Sequence, residues 1–205
     1  MMFTDLFHTL KAPAQGEFKD RGSKFLAFAF PVHSETEVKE ELQRLKKEHF
    51  DAVHHCFAYV LGAGKEIQKF SDDREPSGTA GRPLLRAILS RNLTNSAVIV
   101  VRYFGGKLLG VPGLIAAYEG AALDALNHAA VDEQFVMEQY VLQCAFGNEH
   151  EAFRLLKQFE AQILNQELNE QFSIVFGIRR SKADACLLAL RKNHRLSVSH
   201  HATNS

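Results

Sequence analysis

The segment that most constrains the fold of this chain is an apolar run at residues 98–101 that ends abruptly in polar and glycine residues. The run, Val-Ile-Val-Val, predicts a buried strand because β-branched side chains pack well on a pleated surface. The next residues supply cations, aromatic rings and a glycine pair: Arg102, Tyr103, Phe104, Gly105, Gly106 and Lys107. An apolar segment that can begin a helix follows. A strand, a glycine turn, a cation and a helix N-terminus in this order are typical of a backbone site for an anion.

A second glycine-rich segment lies upstream and consists of Ser77, Gly78, Thr79, Ala80 and Gly81. A helix is predicted to begin at Arg82-Pro83, since proline suits the first helical turn. Glycine and hydroxyl residues let several backbone N–H groups point one way, and a helix N-terminus adds partial positive charge. Two interpretations stay open: an anion site completed by Arg82, or a tight loop that needs glycine for positive φ. We expect the two glycine-bearing loops to meet around one pocket.

The charge balance and the cysteines limit the classes of protein to consider. The chain has 205 residues, with 24 Lys+Arg against 24 Asp+Glu, so bulk charge does not imply strong non-specific nucleic-acid binding, although a local basic cleft stays open. Three widely spaced cysteines argue against a disulfide framework and suit a reducing compartment. No apolar run reaches the roughly 18–20 residues of a membrane span, and the start of the chain lacks signal-peptide features. We therefore expect a cytoplasmic protein without membrane contact.

The pattern of residues 15–130 predicts strands and helices in alternation. Strands are expected at 15–32 (two, joined by a turn at 19–22), 54–61 and 96–101, and helices at 34–49, 83–91 and 111–130. Ser34 and Glu37 match a capping box, in which the hydroxyl and the carboxylate each accept a backbone N–H. The polar, glycine-rich stretch 62–82 is expected to be a long loop, and such loops are often functional.

A domain boundary is predicted near residues 131–138, because one pattern then occurs twice. The predicted elements are a strand, helix and strand at 139–146, 149–160 and 161–167, then a strand, helix and strand at 172–178, 182–192 and 195–200. This βαββαβ order is that of the ferredoxin-like fold. The predicted fold class is therefore α+β, with domains at 1–134 and 135–205.

Several residues carry alternatives. Asp72, Asp73 and Glu75 could bind a metal or act as a base, but their spacing does not fit a calcium loop, and solvated or turn-capping carboxylates are the alternative. The run of residues 54–56, His-His-Cys, suggests a cysteine nucleophile, yet on a strand only the first and third residues share a face. We favour one histidine that lines the same cleft as the loops. No catalytic residue, metal or cofactor is assigned.

Arg102 and the two aromatic residues after it also stay open to two interpretations. The guanidinium can fork onto a phosphate or carboxylate ligand, or it can form a salt bridge with one of the three acidic residues of the upstream loop. Because adjacent strand residues face opposite ways, we expect either Tyr103 or Phe104 to pack in the core, while the other could stack on a base. Walker A, GxSxG, HExxH and kinase signatures are absent from the sequence.

Three motifs together resemble those of the IMPACT/YigZ family. They are His54-His55-Cys56 with Ala58, then Phe70-Ser71-Asp72-Asp73 with Glu75-Pro76 and Gly78-Thr79-Ala80-Gly81, and Val101-Arg102-Tyr103-Phe104-Gly105-Gly106 with Leu109-Gly110. The last two in combination are highly specific. Ser23-Lys24-Phe25 is similar to the family's Lys-Ser-Arg-Phe segment, with Gly22 before the serine and Lys24 in the place of the arginine. The resemblance covers nearly the whole chain.

The resemblance implies a fold that periodicity alone does not settle. The signature domain, residues 1–134, is expected to be similar to the second domain of ribosomal protein S5, which uses a left-handed crossover. With the ferredoxin-like domain after it, the chain resembles the last two domains of elongation factor G. Eukaryotic relatives act in translational control through protein partners of a stress kinase, but they carry an RWD domain instead of this C-terminal domain, so their role does not transfer directly. The resemblance implies no assigned activity for bacterial members.

The leading expectation is a non-enzymatic protein that binds RNA or a ribosome-linked partner through an anion-binding cleft, with a role in translational regulation. The residues expected to form the cleft, which also fits a phosphate-containing ligand, are Lys24, His54, Ser77, Gly78, Thr79, Gly81, Arg82, Arg102, Tyr103, Gly105, Gly106 and Lys107. One alternative is an enzyme acting on a phosphorylated small molecule or nucleotide, with His54 or His55 as acid or base and Asp72 or Asp73 as its partner. The other is a protein-interaction module whose loops are purely structural.

Overall fold

The computed structural model describes residues 5–201 and shows an α+β chain with two compact units. The first unit is Phe7–Gln134, and the second contains residues 135–201 together with Asp5 and Leu6. Asp5 groups with the second unit because its carbonyl accepts from the Val136 amide and its carboxylate accepts from the Ser181 hydroxyl. The predicted domain 1–134 therefore differs from the first unit at its N-terminal end.

The first unit is built on a five-stranded sheet in which every neighbouring pair is antiparallel. Its strands, in the order β2-β3-β6-β4-β5, are β2 (Ala14–Asp20), β3 (Ser23–Pro31), β6 (Ser96–Tyr103), β4 (His54–Leu61) and β5 (Ile67–Ser71). The predicted apolar strand, β6, lies in the centre. Its register places Arg102 between Phe25 of β3 and His54 of β4, which brings two predicted site residues side by side.

Helices cover both faces of this sheet. They are α1 (Glu35–Glu48) on one face, and α2 (Gly81–Ser90) and α3 (Gly110–His128) on the other. The central strand is therefore buried on both sides: Val98 and Val100 pack toward α2 and α3, whereas Ile99 and Val101 pack toward α1. A strand buried on both faces has a continuous apolar sequence without alternation. No helix within residues 5–201 combines the length and the hydropathy that a bilayer span requires.

The Ser34 half of the capping box predicted at the start of α1 is confirmed. The Ser34 hydroxyl accepts from the Glu37 amide at 3.2 Å, and the Glu37 carboxylate accepts from the His33 amide at 2.9 Å. The Ser34 hydroxyl thus satisfies one free N–H of the first turn, whereas Glu37 bonds the amide of the residue before the N-cap and not the Ser34 amide.

Three strands lie outside the predicted elements. β5 interrupts the predicted loop 62–82, and β1 (Leu6–Leu10) pairs with β7 (Val131–Phe135) in a separate two-stranded sheet. The side chains of β5 are exposed except at its last residue, so its sequence shows no apolar alternation. Its conformation comes from pairing along the edge of β4, which periodicity cannot detect.

The second unit has the predicted βαββαβ order. Its elements are β8 (Met137–Cys144), α4 (Glu149–Gln158), β9 (Gln162–Leu168), β10 (Phe172–Arg179), α5 (Arg180–Arg191) and β11 (Leu196–His200). The four strands form one antiparallel sheet in the order β11-β8-β10-β9. Alternate residues of β10, among them Ile174 and Phe176, join the two helices in a core separate from those of the first unit.

Candidate functional site

A pocket of about 380 Å³ opens on the first unit where its two glycine-bearing loops approach each other. Its lining consists of His54, Glu75, Pro76, Arg102, Phe104, Leu108, Leu109, Gly110, Val111 and Leu114. The upstream loop contributes Glu75 and Pro76, and the downstream loop contributes Phe104 and residues 108–110, whereas the predicted residues Gly105, Gly106 and Lys107 are not part of the lining. Both loops therefore form this pocket, but they do so mainly through apolar side chains and an ion pair.

The floor of the pocket holds a buried carboxylate with two donors. Glu75 Oε1 accepts from Arg102 Nη1 at 2.5 Å and from the Tyr118 hydroxyl at 2.8 Å. Only 3% of the Glu75 side chain and 7% of the Arg102 side chain are exposed. Removing such charges from water is costly unless they are paired and hydrogen-bonded. Of the two interpretations of Arg102, the structure thus supports the internal salt bridge, and the partner of Arg102 is Glu75.

The guanidinium of Arg102 lies between the core and the pocket. It is 5.4 Å from the ring centre of Phe25, which is fully buried, and 5.6 Å from the ring centre of Phe104, which is 48% exposed. Within residues 5–201, its Nε atom is buried without a hydrogen-bond partner. Glu75 therefore satisfies the hydrogen-bonding capacity of Arg102 only in part.

His54 directs one ring nitrogen toward Glu75. Its Nδ1 atom lies 2.7 Å from the Asp73 carbonyl oxygen, and since a carbonyl only accepts, Nδ1 carries the proton of the neutral ring. The other nitrogen, Nε2, lies 3.7 Å from Glu75 Oε1. The neutral ring can accept a hydrogen bond at Nε2, and the charged ring can donate one there.

The upstream glycine loop does hold an anion, but this anion is Asp72 of the same loop. Its Oδ2 accepts from the Gly78 amide at 2.8 Å, and its Oδ1 accepts from the amides of Ala80 at 3.0 Å and Gly81 at 2.8 Å. The prediction that these amides bind an external anion is therefore wrong, because an internal carboxylate uses them. The alternative interpretation, a tight structural loop, describes the segment.

The other predicted residues of this loop also lie outside the pocket lining. The amide and the hydroxyl of Thr79 both donate to the Pro76 carbonyl. Ser77 is exposed, and the exposed Arg82 guanidinium lies 5.9 Å from the ring centre of Phe70. None of these three predicted residues therefore contributes to the pocket.

Asp73 also serves the loop itself. Its carboxylate accepts from the His55 amide at 2.7 Å, while its carbonyl orients His54. Asp73 and Arg74 have φ angles of 39° and 71°, in the left-handed region that non-glycine residues rarely adopt.

Among residues 5–201, His, Cys, Asp and Glu side chains form no group of three or more suited to a metal ion.

The glycines of the downstream loop have different roles. A Cβ on Gly105 would lie 2.0 Å from the Gly22 carbonyl carbon, and the Gly105 amide donates to the Ser23 hydroxyl at 3.1 Å. Gly105 thus permits close backbone contact with the turn between β2 and β3. Gly106 has a φ of +81° and open space around its Cβ direction.

Three exposed cations lie next to residues that line the pocket, Arg21 through a hydrogen bond and Arg74 and Lys107 along the chain, and we call Arg21, Arg74 and Lys107 the rim cations. Arg21 Nη1 donates to the Leu108 carbonyl at 3.4 Å, and Lys107 directly precedes Leu108. The Arg74 side chain is 80% exposed and lies next to Glu75 in the chain. Of these three cations, only Lys107 was predicted from the sequence as a site residue. An isolated arginine in a turn does not reveal which segments lie next to it in the folded chain.

Lys24 and Tyr103 were also expected in the cleft, but neither lines the pocket. Lys24 is half-buried on β3, with its Nζ atom 3.9 Å from a Glu17 oxygen. The Tyr103 hydroxyl lies 2.8 Å from His49 Nδ1, beside α1. Phe104 is therefore the aromatic residue that faces the pocket.

Cys56 and His55 do not have the properties of catalytic groups. Burial raises the pKa of the Cys56 thiol far above its usual value, and the thiol donates to the Asp72 carbonyl at 3.1 Å. His55 is 7% exposed, burial lowers its pKa, and its Nε2 has no hydrogen-bond partner among the described residues. Neither residue lines the pocket.

Sequence reasoning missed two parts of the site on α3. Tyr118 is fully buried, and the signal for it was a lone hydroxyl among the small apolar residues of this helix. Burial, with the nearby Cys56 and Glu75, raises the pKa of its hydroxyl well above the usual value, so it stays a donor. The N-terminus of α3 has neither a side-chain cap nor an acidic residue in its first turn, and Gly110 and Val111 bring it to the pocket.

Comparison with known proteins places these residues in a known family. The family model described as "Impact N-terminal domain" matches residues 21–126, a range that contains both loops and Tyr118. "IMPACT family member YvyE" of Bacillus subtilis is 42% identical over 131 residues, which cover 64% of this chain and 60% of that protein. "IMPACT family member YigZ" of Escherichia coli is 35% identical over 147 residues, covering 71% of this chain and 72% of that protein.

Two further matches agree with the family model and the bacterial relatives. "Protein IMPACT" of Homo sapiens is 37% identical over 95 residues, covering 44% of this chain and 29% of that protein. A solved structure described as "Crystal structure of an hypothetical protein" is 28% identical, covers 98% of this chain and 100% of its own, and has a TM-score of 0.72. The family model and the bacterial relatives show that this chain belongs to the IMPACT family.

Proposed function

We propose that the chain binds RNA of the translation machinery, in a regulatory role and without catalysis, through the pocket and the rim cations. The observation that carries this proposal is the position of Arg21, Arg74 and Lys107, which come from three segments and each lie next to a residue that lines one pocket with an exposed aromatic ring. Exposed cations beside an aromatic ring are the usual features of surfaces for single-stranded nucleic acid.

The proposal differs from an anion site built on glycine amides. Asp72 already uses the amides of the upstream loop, and Glu75 already pairs with Arg102. Phosphate groups would therefore contact the rim cations. Each contact with a single-stranded segment contributes about −0.7 to the slope of log affinity against log salt, so three contacts predict a slope of about −2.

We further propose that the first unit has the fold of the second domain of a small-subunit ribosomal protein and that the second unit is ferredoxin-like. The sheet order β11-β8-β10-β9 and the βαββαβ order of elements support the second assignment. The same succession of domains along the chain in elongation factor G supports a role in translation, as a fold-level analogy. A cytoplasmic location is part of this proposal and agrees with three free, buried cysteines among the described residues.

The test is the affinity for a fluorescent RNA hairpin, measured by anisotropy between about 50 and 200 mM salt. We expect binding at low micromolar protein, a slope near −2, and several-fold weaker binding of Lys107→Ala. The matched control is Lys47→Ala, which removes an exposed lysine on α1, on the other face of the sheet. A flat slope, an equal effect of both substitutions, or no binding would contradict the proposal.

One observation favours a second candidate, an enzyme acting on a phosphorylated small molecule or nucleotide. His54 Nε2 lies 3.7 Å from Glu75 Oε1 at the pocket floor, in a position for a general acid or base. Glu75 would then be its partner, in place of Asp72 or Asp73. A thermal-shift screen of nucleotides and sugar phosphates separates the candidates, because a saturating small ligand would raise the melting temperature of the wild type and not of His54→Ala.

A further inference from the structure

We propose that the pocket receives one unpaired nucleobase of the bound RNA, stacked on Phe104, so that the protein selects unpaired over duplex RNA. This inference rests on the proposed function and adds the kind of RNA. It follows from the walls, the floor and the rim of the pocket, which fit different parts of a nucleotide.

The walls fit a flat apolar surface. Phe104 is 48% exposed, and Leu108 and Val111 are 83% and 53% exposed beside it. An aromatic face this accessible gives a base a stacking partner, and stacking tolerates any base identity. The volume of about 380 Å³ lies within the range of small-ligand sites, and one nucleotide is a small ligand.

Mostly buried polar groups of both kinds lie at the floor of the pocket. Arg102 is a donor with an unsatisfied Nε, Glu75 is an acceptor, and His54 Nε2 accepts when neutral and donates when charged. The edge of a nucleobase likewise presents donors and acceptors side by side. A compact free phosphate would leave the apolar walls unused, and a purely apolar peptide would leave the floor unpaired.

The rim and the start of α3 fit the phosphate next to that base. The first turn of α3 has free amides, no side-chain cap and no acidic residue, so its partial positive charge is uncompensated. Lys107 lies in the same loop, and Arg21 is held beside it through the Leu108 carbonyl. These positively charged groups favour a ligand with several negative charges, and we therefore infer that a nucleic-acid strand occupies the pocket.

A base can enter the pocket only when it is unstacked from the neighbouring bases of the RNA. The polar floor lies beneath the exposed ring, with Glu75 and Arg102 nine-tenths or more buried. The bases of a continuous duplex have their edges paired and their faces covered by neighbours, whereas loops and bulges present splayed bases. Selection of unpaired RNA is therefore the expected consequence.

The experiment compares two RNAs, a hairpin with a single-stranded loop and a fully paired duplex of the same length and charge, with the full-length protein. We expect at least 10-fold tighter binding of the hairpin by the wild type. Phe104→Ala should lose most of this preference, and Phe104→Leu, which keeps apolar volume without an aromatic face, should lose it too. Thermal unfolding checks that both variants fold, as expected for an exposed side chain. A 5-iodouridine in the loop should photo-crosslink to Phe104.

The outcomes separate this inference from the function on which it rests. Equal binding of hairpin and duplex with a salt slope near −2 overturns the unpaired-base inference and leaves RNA binding in place. Loop preference that persists in both Phe104 variants, or a crosslink that maps elsewhere, also overturns it. Failure of both RNAs to bind overturns the inference and the proposed function together.

Discussion

The Asp72 carboxylate and the Gly81 amide are joined by a 2.8 Å hydrogen bond at the start of α2. Ala80, at the N-cap position of this helix, has no side chain that can accept from the first free amides. Asp72 supplies that acceptor from nine residues upstream, and its charge also suits the positive end of the helix. A helix cap and the closure of the long loop thus depend on one carboxylate.

Replacement of Asp72 should therefore destabilise the first unit. Asp72→Ala leaves the amides of Gly78, Ala80 and Gly81 without their acceptor, and we expect a loss of about 2–3 kcal/mol in the free energy of unfolding, measured with urea. Asp72→Asn keeps one acceptor oxygen and should lose less. Wild-type stability of Asp72→Ala would show that water replaces the carboxylate at no cost.

Removal of Arg102 should be more damaging than removal of Lys107. Arg102→Ala strands the buried Glu75 carboxylate, and a buried charge left without its partner costs about 3–5 kcal/mol. Lys107→Ala removes an exposed side chain and should leave unfolding unchanged within about 0.5 kcal/mol.

A double variant tests the cause of this loss. Arg102→Met combined with Glu75→Gln removes both charges and should be more stable than Arg102→Ala in the same urea titration. If the double variant and Arg102→Ala unfold at the same urea concentration, the stranded carboxylate is not the reason for the loss.

Gly105 and Gly106 offer a matched pair of substitutions. Alanine at Gly105 would bring its Cβ to 2.0 Å from the backbone of Gly22, and we expect a loss of about 2–3 kcal/mol as the turn is displaced. Alanine at Gly106 meets open space and only the cost of a left-handed φ, about 1 kcal/mol. Calorimetry measures the stability of both variants. A larger loss for alanine at Gly106 than for alanine at Gly105 would contradict this account.

His55 should make the stability of the protein dependent on pH. Burial lowers the pKa of His55 from its ordinary 6.5, so the unfolded chain binds this proton more tightly than the folded protein. The stability contributed by neutral His55 is complete above about pH 6.5 and is lost as the pH falls from there through the lowered folded pKa. Urea unfolding of the wild type and of His55→Gln between about pH 5 and 7.5 should show a shallower dependence in the variant. If the free energies of unfolding of the wild type and of His55→Gln changed with pH in parallel, His55 would not be the source of the pH dependence.

Elements with their own sequence signal were predictable. The apolar run of β6, the Ser34 cap of α1 and the βαββαβ succession after residue 136 reflect side-chain burial and local hydrogen bonds, which leave periodic or local patterns. β5 and the pair β1 and β7 left no such pattern. β5 forms along the edge of β4, and β1 and β7 pair with each other across more than 120 residues of chain, so each depends on a partner that only the fold brings near.

The candidate site shows the same division. The family that the motifs predicted is confirmed by the family model, because membership depends on residue types and their order. Phe104 and Tyr103 could not be assigned to core or pocket, and Arg102 could not be assigned to a ligand or to Glu75. These choices depend on which side chain folds against each group.

The amino-acid sequence was enough to identify the family, to predict the order of most helices and strands, and to single out the two glycine-bearing loops. The carboxylate that accepts from each donor, and the residues that line the pocket, followed only from the folded structure. The physical reason is that donors such as the Gly81 amide and the Arg102 guanidinium bind whichever acceptor the fold brings nearest. Here those acceptors are Asp72 and Glu75, and the proposed binding therefore depends on Phe104, its apolar neighbours and the rim cations.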